Sequence, residues 1–207
     1  MIYLVLLVPV LAVLLWLGNG IRQIGAVSRG RPVGARGNTA LLMIDLQSVF
    51  WDDGPYRAHD RSTAEAAIAA EAARARQEGI AIIAVRQEWS IPATRCLARL
   101  TMGGRAIAGT PGTELAAPFA DLPDHVLVKR VQDAFETGAL DALLAKLDVG
   151  TLRIVGLDAR YCVATTTKAA RRRGYAVEVV TGGVLSADPV GPLATLQKIA
   201  DAGVVLR

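Results

Sequence analysis

The chain has 207 residues, 52% of them hydrophobic, and 23 Lys and Arg against 19 Asp and Glu give a formal charge of +4. That length suits one domain with a substantial core plus a small appendage, while two histidines and two cysteines exclude a multi-histidine metal site within one chain and any disulfide framework. Much of the positive charge gathers in residues 22–36 and at Lys168, Arg171, Arg172 and Arg173, which read as attraction to a membrane surface and as a solvated helix end, so no nucleic-acid partner is expected.

Residues 2–17 carry no charge and read IYLVLLVPVLAVLLWL. They fall slightly short of the about 20 apolar residues of a spanning helix, and the next four can extend them. The expectation is therefore a membrane anchor over residues 1–21, a flexible Gly/Arg-rich linker over 22–38 and a folded domain over 39–207. A cleaved secretory signal competes, but the basic leading region of such signals is missing. A buried core helix is the third reading, at odds with a run that has no polar face. Arg22, Arg29, Arg31 and Arg36 follow the run and none precedes it, which places the domain in the cytoplasm by the positive-inside rule, with Trp16 at the interface and the lipid bilayer as a partner. Free Cys96 and Cys162 agree with a reducing compartment.

Beyond the linker, residues 39–44 read as a buried strand ending at Asp45, and residues 48–60 as a loop carrying Phe50, Trp51 and Tyr56. Ser62-Thr63-Ala64-Glu65 fits a capping box opening a helix to about Gln77, with Gly79 as its stop. A strand over 80–85 is followed by a long glycine-containing loop over 86–124, a length that points to function. Strands over 126–129, 152–155, 176–180 and 204–206 then alternate with helices over 140–147, 162–173 and 193–202. This alternation specifies an α/β fold: a three-layer, Rossmann-like, mainly parallel sheet with helices on both faces.

In such a sheet the residues at the carboxyl ends of strands converge on one crevice, so Asp45, Lys129 and Cys162 can meet as an acid/base pair beside a nucleophile. Cys162 opens the helix expected over 162–173, where free N–H groups and the helix dipole favour a thiolate and can hold an oxyanion. Singly, each residue has a plainer role: inert packing for Cys162, turn capping for Asp45 and Gln47, a surface charge for Lys129. Jointly, their order and placement favour chemistry.

Ile44-Asp45-Leu46-Gln47 with Phe50 behind it, Val128-Lys129-Arg130 leading through Ala134-Phe135 to Thr137 and Leu140, the stretch from Gly156 to Cys162-Val163, and Gly174-Tyr175 before a strand resemble the isochorismatase-like cysteine hydrolases. That superfamily also holds nicotinamidases, carbamoylsarcosine amidases and ureide hydrolases. The resemblance implies Asp45 as general base, Lys129 as charge stabiliser and Cys162 as nucleophile, with a cis peptide at Leu157-Asp158 helping to aim backbone N–H groups of Asp158 and Cys162 at an oxyanion. It implies a small amide, imide or ureide as substrate, cleaved at a C–N bond through a thioester. Gln47, Phe50, Trp51, Trp89, Phe135 and Tyr161 are candidate pocket residues, with core packing as the alternative for Phe50 and Phe135.

Where nicotinamidases carry an Asp-and-His cluster, this chain has Arg86-Gln87-Glu88-Trp89-Ser90, so neither metal nor other cofactor is expected. His59 and His125 read as surface residues, and Glu88 as either a substrate contact or a solvated side chain. Asp158-Ala159-Arg160 and Tyr161 depart from the commoner family residues, with the Asp158 carboxylate expected to point away from the oxyanion. The competing function is a membrane-anchored interaction protein that keeps the fold without turnover. A homo-oligomer stays open.

Overall fold

The computed structural model describes residues 2–188 and 192–207, apart from the side chains of residues 2–7. Six strands, β1 (Asn38–Ile44), β2 (Ala81–Gln87), β3 (His125–Lys129), β4 (Val149–Gly156), β5 (Ala176–Val184) and β6 (Val205–Leu206), form one sheet in the order β3-β2-β1-β4-β5-β6. Every pairing between them is parallel. The helices are α1 (Ile2–Ile24), α2 (Ser48–Trp51), α3 (Ala58–Gln77), α4 (Pro92–Thr101), α5 (Ala139–Lys146), α6 (Ala164–Arg173) and α7 (Leu193–Asp201).

The central strand shows why the chain folds as a layered sandwich. Ala40 to Ile44 are all buried, so β1 reads as one continuous apolar run covered on both sides. Leu42 and Ile44 pack with Phe135, Leu140 and Leu144 on one face, whereas Leu41 and Met43 pack with Ile68, Ala72 and Phe119 on the other. Strand order reverses between β1 and β4, and this switch point opens a crevice at the carboxyl ends of the strands.

Three elements differ from expectation. Inside the loop expected over 86–124 lies α4, whose Pro92 occupies the first helical turn and whose Ala93, Leu97 and Ala98 are buried while Arg95 and Arg99 stay outward. The capping box at Ser62 is not used. Helix α3 begins at Ala58, its first turn holding an Arg57–Asp60 ion pair at 2.6 Å, and Thr63 Oγ1 donates back to His59 O as a mid-helix residue. Cys162 lies within a π-helical turn, Ala159–Val163, that leads directly into α6, rather than opening that helix.

The expected anchor is overturned. Residues 2–17 form part of α1, but among the described residues no helix is long and apolar enough to cross a membrane, and the cytoplasmic placement derived from that span goes with it. Pro9 removes a hydrogen bond within α1. The other end of the helix packs on the domain, with Gly20 buried against α4, where an added Cβ would meet Ala93 Cβ at 2.8 Å. The stretch read as a flexible linker follows the domain surface: Ser28 N–H donates to Asp133 Oδ2 at 2.7 Å, Val33 N–H to Arg173 O at 2.8 Å, and Arg173 donates to Ser28 Oγ at 3.0 Å.

Candidate active site

Asp45 is the first residue past β1 and adopts φ of 54°, a left-handed turn that Asp tolerates better than bulky residues do. The turn leaves its carboxylate at the carboxyl edge of the sheet. Lys129 ends β3, and Gln87 occupies the corresponding last position of β2. Beyond β4, the cis peptide Leu157-Asp158 leads into the π-helical turn bearing Cys162.

Asp45, Lys129 and Cys162 come together beneath the crevice. The fully buried Lys129 ammonium lies 3.0 Å from Asp45 Oδ2 and 3.3 Å from Cys162 Sγ, and it also donates to Gln87 Oε1 at 2.6 Å and Val131 O at 3.2 Å. Four acceptors around three N–H bonds fix the position of Nζ. Asp45 Oδ1, by contrast, is buried without a hydrogen-bond partner among the described residues.

Burial and charge set the protonation of this cluster. Burial pulls Lys129 down, but the charges of Asp45 and Cys162 more than restore it, so it remains an ammonium. Burial lifts the Asp45 carboxyl above the ordinary carboxylate range, and the opposing Lys129 charge offsets this only in part. Burial, reinforced by the Asp45 charge, pushes the Cys162 thiol well above the ordinary thiol range despite Lys129. At rest Cys162 is therefore a thiol beside the Asp45 carboxyl, the upward push of burial and of Asp45 outweighing the Lys129 charge that favours a thiolate.

A cleft of about 400 Å³ opens above the cluster, lined by Asp45, Cys162 and Asp158 among others. The Asp158 carboxylate accepts from Arg160 N–H at 2.8 Å, from Ala187 N–H, and from Tyr56 Oη at 3.4 Å. Its own N–H donates no hydrogen bond among the described residues, whereas the N–H groups of Ala159, Arg160, Tyr161 and Val163 are all engaged.

Of the candidate pocket residues, Phe50, Trp89 and Tyr161 line the cleft. Gln47, Trp51 and Phe135 do not. Gln47 is fully buried and braces the backbone, donating to Gln87 O and Thr113 O at 3.0 and 2.8 Å and accepting Gln87 N–H. Trp51 meets Phe119 edge-on at 4.6 Å, and Phe135 packs between Tyr175 and the Arg173 guanidinium. Glu88 pairs with Arg86 at 3.1 Å. The cleft also takes Ile24, Tyr56, Gln87, Met102, Arg105 and Gln132, which the sequence reading did not single out as site residues. Gln87 could have been found by the strand-end rule that picked Lys129. Ile24 carries no such signal.

The segment after β2 does not fit a metal. Trp89 offers no ligand, the Gln87 side-chain oxygen Oε1 is held by Lys129, Glu88 is paired, and no cluster of three metal-binding side chains occurs among the described residues.

A doubly wound parallel sheet with a buried Asp–Lys–Cys cluster at its switch point defines the class of molecule. The chain belongs to the isochorismatase family, whose domain matches residues 39–207, and is an isochorismatase-family hydrolase. It is similar to an isochorismatase family protein from Desulfovibrio vulgaris subsp. vulgaris str. Hildenborough at 28% identity, with 83% of this chain and 94% of that one covered and a TM-score of 0.72. The fold is shared with a pyrazinamidase/nicotinamidase from Streptococcus mutans UA159 at 24% identity, covering 82% and 100% of the two chains with a TM-score of 0.71. An N-carbamoylsarcosine amidase from Thermoplasma acidophilum shares it at 22% identity, covering 83% and 96% with a TM-score of 0.71.

Proposed function

We propose that the protein is a cysteine amidohydrolase that cleaves a C–N bond in a small amide, imide or ureide through a thioester. The observation that carries this reading is the single ammonium of Lys129 touching both Asp45 Oδ2 at 3.0 Å and Cys162 Sγ at 3.3 Å. Asp45 takes the thiol proton as sulfur attacks the carbonyl carbon, so charge separation occurs only as the S–C bond forms. The free N–H of Asp158, together with that of Cys162, receives the oxyanion, and the Lys129 charge steadies the developing thiolate. Asp45 returns the proton to nitrogen as the C–N bond breaks. A water, deprotonated by Asp45, then attacks the thioester, the C–S bond breaks, and the proton returns to sulfur.

The domain family and the amidases that share the fold support C–N bond cleavage. The rival reading, an interaction protein without turnover, is not favoured by a cluster whose acid, cation and thiol are all retained. A panel of small amides, imides and ureides scored by ammonia release tests the proposal. Hydrolysis is expected for at least one class, and Cys162→Ala should lower it by about 10⁴-fold or more while the fold persists. Turnover that survives this substitution would sink the mechanism.

A further inference from the structure

We infer that the substrate carries a carboxylate a few bonds from the scissile C–N bond and that Arg105, beside Trp89, binds it; this rests on the hydrolytic reading above. Three charged side chains line the cleft. Asp45 is paired with Lys129, and the Asp158 carboxylate is occupied by two backbone N–H groups and Tyr56. Arg105 is exposed at the cleft, and among the described residues its guanidinium has no ion pair, hydrogen bond or aromatic partner. Many arginines elsewhere on the domain do have one: Arg57, Arg86, Arg130, Arg153, Arg173 and Arg207 each pair with a carboxylate. A bare guanidinium on a concave surface presents a planar fork that matches a carboxylate.

A second feature points to the same ligand. Trp89 is 4% exposed, lines this cleft, and its indole Nε1–H is buried without an acceptor among the described residues. A buried donor left unpaired is costly, and an acceptor on a bound ligand relieves it. Trp89 and Arg105 are also held together, because Trp89 N–H donates to Ala106 O at 2.7 Å and Ala108 N–H donates to Trp89 O at 3.2 Å. The indole N–H and the guanidinium thus come from two segments fixed side by side.

The lining of the same cleft also holds apolar Ile24, Phe50, Met102 and Leu157. Lys129, the other cation near the cleft, is saturated by four acceptors. The substrate that fits has a reactive amide or ureide carbonyl at one end, a short apolar spacer, and an anion at the other. A half-amide of a dicarboxylic acid or an N-carbamoyl amino acid meets that description.

Matched probes test this: succinamate against butanamide and N-carbamoylglycine against ethylurea, each read by ammonia release and by calorimetric binding to Cys162→Ala. The acids should be preferred by at least about tenfold in kcat/KM, since a charge-assisted hydrogen bond is worth roughly that much or more. Arg105→Ala should cut the acid-to-neutral ratio at least tenfold, mainly through KM. Arg105→Lys should keep part of it, and Trp89→Phe, which retains the ring without the N–H, should lower it a few-fold. A wild-type ratio near one, or an Arg105→Ala variant that weakens both members of a pair equally, overturns the carboxylate site. Cys162-dependent hydrolysis without acid preference would leave the amidohydrolase reading standing and sink this one. Arg105-dependent binding of the acids without hydrolysis of any probe would do the reverse.

Discussion

The protonation of the Asp45–Lys129–Cys162 cluster makes two opposed demands on one substitution. Burial and, after it, the Asp45 charge hold the Cys162 thiol protonated, and in the proposed mechanism Asp45 also receives its proton. In Asp45→Asn the negative neighbour is gone and Lys129 remains, so the thiolate is favoured while the base is lost. Turnover should collapse, yet alkylation of Cys162 by iodoacetamide at pH 7 should accelerate by about tenfold or more, one decade for each unit by which the thiol falls. Slower alkylation in that variant would show that Asp45 does not control the thiol. The pH profile follows from the same groups. The proposed mechanism needs Asp45 ionised, and its carboxyl sits above the ordinary range, so activity should fall on acidification through a pH higher than an exposed aspartate's value of about 4. The alkaline limb requires loss of the Lys129 or Cys162 proton, both displaced upward, so the plateau of kcat/KM should extend past the pH at which an ordinary thiol titrates, about 8.5. At this scale the sequence was informative about identity and silent about orientation. Strand-end position found Asp45 and Lys129, but Gln47, Trp51 and Phe135 stand near the same motifs and turn into the core, because motif spacing does not say which way a side chain leaves a loop.

Elements place these residues through a narrow strand crossing. Gly156 ends β4 at φ of 120° beside Ile44, and a Cβ there would meet Ile44 N at 2.7 Å and its carbonyl oxygen closer still. Ile44 precedes Asp45, and Gly156 precedes the turn that carries Asp158 and Cys162, so the contact sets the spacing between Asp45 and Cys162. Gly156→Ala should force β1 and β4 apart and twist a residue into a disfavoured backbone region, costing about 3 kcal/mol of stability and most of the activity. Thermal unfolding and kcat/KM measured together check it; a variant with unchanged melting and full activity would mean the crossing is slack. The parallel sheet was legible because its strands are short apolar runs bounded by turn residues. Helix α4 was not, since Pro92 at its start and Gly103-Gly104 just after it masked a ten-residue amphipathic stretch with arginine on its outer face. The π-helical turn was also invisible, because its bond from Val163 N–H to Asp158 O, five residues back, follows no residue propensity.

On the scale of the whole molecule, the segment before β1 is part of the architecture of the site. Ile24, the last residue of α1, lines the cleft, and its carbonyl oxygen accepts Gln132 N–H at 3.0 Å from the loop that follows Lys129. A few residues on, Ser28 contacts the buried Asp133 carboxylate and the Arg173 side chain, which is 2% exposed and also grips Asp141 at 2.8 and 3.0 Å. Hydropathy and glycine content in this region suggested an anchor and a tether, since neither quantity registers a long-range hydrogen bond to Asp133 or Arg173. Two truncations separate the roles of its parts. A chain starting at residue 18 keeps Ile24, Ser28 and Val33 in place and should retain the melting temperature and KM of the full protein within small margins. A chain starting at Asn38 takes the Ser28 donor from Asp133 Oδ2 and the Val33 donor from Arg173 O, although Asp133 keeps Phe135 N–H and Arg173 keeps Asp141, and it removes one wall of the cleft. With each orphaned buried polar group costing about 1–3 kcal/mol, it should melt at least about 5 °C lower and bind substrate more weakly. Equal melting temperatures and equal KM values for the two truncated chains would mean that residues 18–37 contribute nothing to the domain or its site.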